Sequence, residues 1–229
     1  MIADTRIGRR TFFLGALTAS AALALPACQT ARPLSLEEAI RRLLYASSEN
    51  AFARLTEPNG FWDRQVANAG LGNLIGVRGD ALTRVLTSQL FRERLQDSFS
   101  DFAIEATDRA APVVADAVRT IGYRNALEIV QGGPRAATAY LRGELGARLI
   151  EAMVPELYEA MRVASDPLLG QLLGAAIGAD VGDIARRFAD RIDETIWNEI
   201  ANEEAAIRAD PGATRDPVLI GVFGAAGRI

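Results

Sequence analysis

The sequence predicts an all-α protein: a single globular multi-helix domain behind an N-terminal leader. Three observations predict it. Alanine is abundant, and apolar residues fill 49% of the 229 positions, enough for a buried core. Apolar residues recur at the three- and four-residue steps of a helix over long stretches. β-Branched residues are not gathered into alternating runs, and no strand-turn-strand signal or fixed-period repeat interrupts the pattern.

The leader spans residues 1–27. Arg9 and Arg10 close a charged start, Thr11-Phe12-Phe13-Leu14 open an apolar run, and the run ends in small residues at Ala27. Paired arginines before such a run resemble a twin-arginine export signal, the route for proteins folded before export. Leu25-Pro26-Ala27-Cys28 resembles a lipobox, with Pro26 as its one departure. That resemblance implies cleavage before Cys28 and acylation of Cys28, whose several acyl chains anchor a protein durably. Gln29 follows, so the expected address is the periplasmic face of the outer membrane, with a soluble periplasmic protein as the alternative. Cys28 is the only cysteine, which rules out a disulfide within the chain.

Residues 28–33 read as a tether and residues 34–229 as the helical domain. Ser35 and Glu38 form a capping box for a helix to about Leu55, with Ile40, Leu43, Leu44, Ala51 and Leu55 on one side. Glu57-Pro58-Asn59-Gly60 ends it. Residues 61–79 look least regular. Gly70, Gly72, Gly76 and Gly79 have the wrong spacing, and the wrong surroundings, for a dinucleotide fingerprint. Asp80 suits an N-cap, and a helical pattern runs from Leu82 through Ala111, where Leu95, Phe99, Phe102, Ala106 and Ala110 share a face. The opposite row, Glu93, Asp97, Asp101, Glu105 and Asp108, reads as a solvated face rather than a cation site.

Pro112 fits the first turn of a next helix, ended by Gly122. A short helix follows over Asn125–Val130. Gly132 is expected to cap it in the left-handed region, with Pro134 at the first position of a helix to about Ala152. Pro155 begins another helix, and Asp166-Pro167 a further segment. Gly170, Gly174, Gly178 and Gly182 recur every fourth residue, a smooth stripe suited to close helix packing or to an interfacial flap. Asp183–Arg208 is the clearest helix, with Ile184, Phe188, Ile192, Ile196, Trp197 and Ile200 buried and Glu204 pairing with Arg208. Asp210-Pro211-Gly212 stops it, and the apolar knot Val218–Phe223 is expected to dock on the body.

Composition removes several chemistries. All 25 basic residues are arginine, with no histidine and no lysine. Serine–histidine and cysteine–histidine nucleophile pairs, histidine metal ligands, Schiff-base lysines and the P-loop lysine are therefore excluded. Loss of residues 1–27 would leave 22 basic against 28 acidic residues, which argues against nucleic acid as a partner.

Two stretches, "NALEIVQGGPRAATAYLRG" and "NEEAAIRADPGATRDPVLIGVFG", together resemble the bacterial family called domain of unknown function 4197. Asn125, Leu141 and Asp210 depart from the residues the family usually carries there. The resemblance implies an exported helical protein or lipoprotein, and supplies no catalytic residue.

Two groups are candidates for a site. Gly133, Arg135, Thr138 and Arg142 surround a helix start, where free N–H groups and the helix dipole favour an anion, a ligand or a partner. Pro134 removes one donor there, and a helix-glycine-proline-helix corner explains the same residues structurally. Glu203, Glu204 and Arg208 form a candidate polar site, read first as an ion pair at a helix end. Asn125, Tyr140 and Tyr158 are further candidate polar groups. No catalytic residue, metal site or cofactor is expected. The expected function is a non-catalytic envelope binding module, attached to the membrane by its lipid anchor and contacting a protein or an apolar or lipid ligand. The alternatives are a hydrolase or lyase built on carboxylates, tyrosine and arginine, and a purely structural component.

Overall fold

Ser35 starts the first helix of the computed structural model, which describes residues 35–69, 89–164 and 181–226. Its hydroxyl accepts the Glu38 N–H at 3.1 Å and caps α1, Leu36–Leu55. Seven more α-helices follow among the described residues: α2 (Phe61–Ala69), α3 (Gln89–Thr120), α4 (Ala126–Gln131), α5 (Ala136–Leu145), α6 (Arg148–Ala164), α7 (Val181–Ala209) and α8 (Pro217–Ala226). A 3-10 turn over Pro211–Thr214 joins the last two. The described residues contain no strand, so the fold is all-α. Residues Ser35–Ile229 make one compact unit.

The core lies where α1, α3, α6 and α7 pack on one another. Ile40, Leu43, Leu44 and Leu55 come from α1, Phe99 and Val114 from α3, Leu149 and Met153 from α6, and Phe188, Ile192, Ile196 and Ile200 from α7. Phe99 meets Phe188 edge to face at 5.0 Å. Ala103, Ala106, Ala110 and Ala117 line the buried side of α3 and let its neighbours approach closely. The row Glu93, Asp97, Asp101, Glu105 and Asp108 is exposed along the outside of α3. The terminal knot docks as expected, with Val218, Leu219 and Phe223 buried.

Four boundaries differ from the sequence pattern. Residues 61–69 form α2, anchored by buried Trp62 and Val66. Pro112 lies inside α3 and Pro155 inside α6, where new helices were expected to begin. Each proline deprives the carbonyl four residues back of its N–H partner, from Asp108 and Glu151 respectively. All four residues are exposed, so water can satisfy those carbonyls while the buried stripe continues on the other side. The break falls instead at Gly146, whose φ of +57° is open to glycine without strain and whose N–H reaches the Arg142 carbonyl at 3.1 Å.

Gly132 is the fourth difference. Its backbone is extended, φ −68° and ψ 179°, and not left-handed. Glycine is required there by proximity, because a Cβ would lie 2.7 Å from the Ala136 Cβ and 2.9 Å from the Glu128 carbonyl oxygen. The left-handed residue of this region is Asn125, φ +57°, ahead of α4. Arg9, Arg10, Cys28, the glycines at 70–79 and those at 170, 174 and 178 lie outside the described residues, as does the Tyr158 side chain.

Candidate functional site

The corner between α4 and α5 creates two electrostatic needs. Four N–H groups at the start of α5 lack helical partners, and so do the last carbonyls of α4. Local sequence meets little of either: the Ala136 N–H reaches the Gly133 carbonyl at 3.1 Å, but Arg135, at the α5 N-cap, makes no side-chain cap, and the glycines carry no side chain.

Residues one turn apart on α7 meet both. Glu204 is fully buried; its Oε1 accepts the Ala137 N–H at 3.0 Å and its Oε2 the Thr138 N–H at 2.7 Å. Arg208 donates from Nε to Glu204 Oε1 at 2.7 Å, from Nη1 to the Val130 carbonyl at 2.9 Å and from Nη2 to the Ile129 carbonyl at 3.0 Å. A carboxylate therefore sits at the positive end of α5 and a guanidinium at the negative end of α4, the favourable placement for both helix dipoles. Arg208 also lies 4.7 Å over the Phe223 ring and holds α8 to the same point.

The anion at this helix start is thus the chain's own Glu204. Its oxygens accept from three donors, the N–H groups of Ala137 and Thr138 and the Nε of Arg208. The Arg208 side chain is 10% exposed and Glu204 not at all, so the pair acts on backbone rather than on solvent. Thr138 gives its N–H to Glu204, while its own hydroxyl is buried without a partner.

Arg135 and Arg142 do not converge. Arg135 donates to Asn202 Oδ1 at 2.7 Å, and Arg142 to Asp193 Oδ2 at 3.1 Å. Those acceptors are nine residues apart on α7, about 13 Å at 1.5 Å per residue. Gly133 is exposed in the linking turn, with open space where a Cβ would be. Asp193 also accepts the Trp197 indole N–H at 2.9 Å. Burial pushes the Asp193 carboxyl up from its ordinary value, against the opposing pull of Trp197 and Arg142.

Glu203 faces the other way from its neighbour. It pairs with Arg54 and accepts from Asn50 at 3.3 Å, while Arg54 also holds Glu199 at 3.2 Å. These contacts fasten α1 to α7. Tyr140 donates to the Gly122 carbonyl at 2.7 Å and bridges α5 to the turn ahead of α4. Among the described residues no group of three or more His, Cys, Asp or Glu is arranged to hold a metal.

Sequence reasoning missed a second feature, an open groove of about 360 Å³ between α1 and the C-terminal segment. Arg41, Arg42 and Tyr45 form one wall, with Asp216 and Leu219 opposite. Tyr45 is 57% exposed. Its signal in the sequence is an aromatic residue on the polar side of α1, four residues after Arg41. The Arg41 guanidinium lies 5.6 Å over the ring of Tyr123, which is buried, donates to the Val118 carbonyl at 2.8 Å, and has its phenol pushed up to about 12 by burial.

A family model described as protein of unknown function (DUF4197) matches residues 31–224. No curated protein and no solved structure matches the chain. The matched region holds the α4–α5 corner, the Glu204–Arg208 pair and Phe223, so the stretches that carry the resemblance are those that meet in space.

Proposed function

The chain belongs to the DUF4197 family, and from that premise we propose that it is an exported lipoprotein whose helical domain is a non-catalytic binding module of the cell envelope. Arg9 and Arg10 direct export, Cys28 carries the anchor, and the domain meets a protein or lipid ligand on its surface. The observation that carries the binding reading is the groove between α1 and the C-terminal segment, with Tyr45 exposed on its wall and Leu219 within it. Its volume lies within the range of ligand pockets, about 300–1,000 Å³. The use of Glu204 and Arg208 to cap two helices supports the same reading, because it gives the signature residues an architectural task.

Two measurements test it. Cys28→Ala should leave the outer-membrane fraction; recovery there at wild-type level refutes the anchor. The chain from Gln29, purified without acyl groups, should retain a lipid or peptide detectable by mass spectrometry, and Tyr45→Asp should lose it. Turnover in a hydrolase screen that Glu203→Ala abolishes would overturn the non-catalytic assignment.

A further inference from the structure

We propose that Asn59 is a modification site: its carboxamide closes on the Gly60 nitrogen to a succinimide when the turn between α1 and α2 opens, and the isoaspartate that results records the opening permanently. The chemistry is that of an asparagine followed by a glycine, and Asn59-Gly60 is the only such pair in the chain.

The folded turn demands both residues. Glu57-Pro58-Asn59-Gly60 closes through the Gly60 N–H, which reaches the Glu57 carbonyl at 3.1 Å. Proline at the second position and a positive φ at the third, +55° at Asn59, are the type II pattern. Asparagine is among the few residues with a side chain that enter that region readily. Gly60 is fixed by proximity instead, because a Cβ there would lie 2.6 Å from the Glu57 carbonyl oxygen. The residue after Asn59 is therefore the one that leaves its nitrogen least hindered. The turn's geometry selects the pair, and the pair's reactivity comes with it.

The same geometry restrains the reaction. The Gly60 nitrogen must shed its proton before it attacks the Asn59 Cγ. In the folded turn that proton is held by the Glu57 carbonyl, and Gly60 is buried while Asn59 is exposed. Solvent reaches the carboxamide but not the nucleophile. Opening of the turn frees the nitrogen. A C–N bond then forms between it and the Asn59 Cγ, and ammonia leaves. Water opens the five-membered ring at either carbonyl. One product is aspartate. The other is isoaspartate, whose main chain runs through the Cβ and is one methylene longer. That length has no room at buried Gly60, which directly precedes α2 and its buried anchors Trp62 and Val66. A molecule carrying isoaspartate cannot close the turn in its original form.

The test uses the chain from Gln29, which keeps the compact unit of residues 35–229. It is held at mildly alkaline pH, folded in one sample and unfolded in guanidinium in the other. Cleavage after arginine releases Leu55–Arg64, in which Asn59 is the only side-chain amide, so an amide-to-acid mass change in that peptide reports Asn59 alone. The folded chain should lose the amide at least about tenfold more slowly than the unfolded one, as expected where the reactive form is a minor open population. Equal rates in the two samples overturn the inference. The unfolded sample should yield aspartate and isoaspartate peptides that chromatography separates; aspartate alone overturns the succinimide route. The isoaspartyl chain, refolded, should melt at least about 3 °C below Asn59→Asp, which carries the same charge on an ordinary main chain. Coincident melts overturn the claim that the modification keeps the turn from closing.

Discussion

Replacing Glu204 with alanine removes one side chain and leaves three donors without their acceptor. The Ala137 and Thr138 N–H groups lose bonds of 3.0 and 2.7 Å, and Arg208 loses its 2.7 Å ion pair. A buried N–H left unsatisfied costs about 1–3 kcal/mol, and breaking a buried ion pair by removing one partner about 3–5 kcal/mol. The terms share one site and do not add, so the expected loss is about 3–5 kcal/mol. That is a large fraction of the roughly 5–15 kcal/mol that holds a domain folded. Glu204→Gln keeps the shape but presents an NH2 group to a donor-lined site, and should cost about 2–4 kcal/mol. Glu204→Met combined with Arg208→Met removes both charges at similar volume, and should cost less than the sum of the single changes by at least about 1 kcal/mol. Urea unfolding of the chain from Gln29, followed by far-UV circular dichroism and tryptophan fluorescence, measures each value. At about 2 kcal/mol per molar urea, Glu204→Ala should move the midpoint down by roughly 1.5–2.5 M. A shift below about 0.5 M, or strict additivity in the double variant, would refute the claim that this pair closes the α4–α5 corner.

Three further expectations concern the same region. Gly132→Ala forces a Cβ to within 2.7 Å of the Ala136 Cβ and should destabilise by about 1–3 kcal/mol, whereas Gly133→Ala meets open space and should stay within about 1 kcal/mol of wild type; thermal melts distinguish them. Thr138→Val removes a buried hydroxyl that has no partner and keeps the N–H given to Glu204, so urea unfolding should show it neutral or stabilised by up to about 1 kcal/mol. Asp193 has a carboxyl raised by burial, so the folded state binds its proton more tightly than the unfolded chain does. Its contribution to stability is therefore highest at low pH and falls as pH rises from the ordinary value of 3.8 through the higher folded value. Asp193→Asn should abolish that step, so its stability relative to wild type should rise between pH 3 and pH 7 in paired urea titrations; a flat or falling difference contradicts the burial argument.

Local spacing carried much of the fold. The α1 capping box, the buried row of α7 and the docked C-terminal knot all follow from residues within a few turns of one another. Pro112 and Pro155 misled the boundaries because a proline's effect depends on which side of the helix it occupies. Exposed, each removes a hydrogen bond that water replaces, and the buried stripe carries the helix through. Gly146 has a positive φ that few residues adopt easily, but nothing in "LRGELGARL" distinguishes it from Gly143, which lies inside α5. Gly132 was legible as a glycine position, while its reason, the approach of Ala136, depends on the angle at which α5 leaves the corner.

The candidate site divides in the same way. Glu204 and Arg208 stand four residues apart, so their pairing is written in the chain, as is an α5 start with no local cap. That these two facts answer each other is not, because the donors at Ala137 and Thr138 are 67 and 66 residues from the carboxylate. The same holds for Arg208 at the carbonyls of Ile129 and Val130, and for the separation of Arg135 from Arg142 along α7. Periodicity and capping are short-range properties, so the order of residues alone was enough for the helical class and the buried faces. Which charge neutralises which helix end depends on how distant segments pack. In this protein that packing turned an apparent anion cradle into a corner closed by its own glutamate, and opened a groove beside Tyr45 that no local pattern announced.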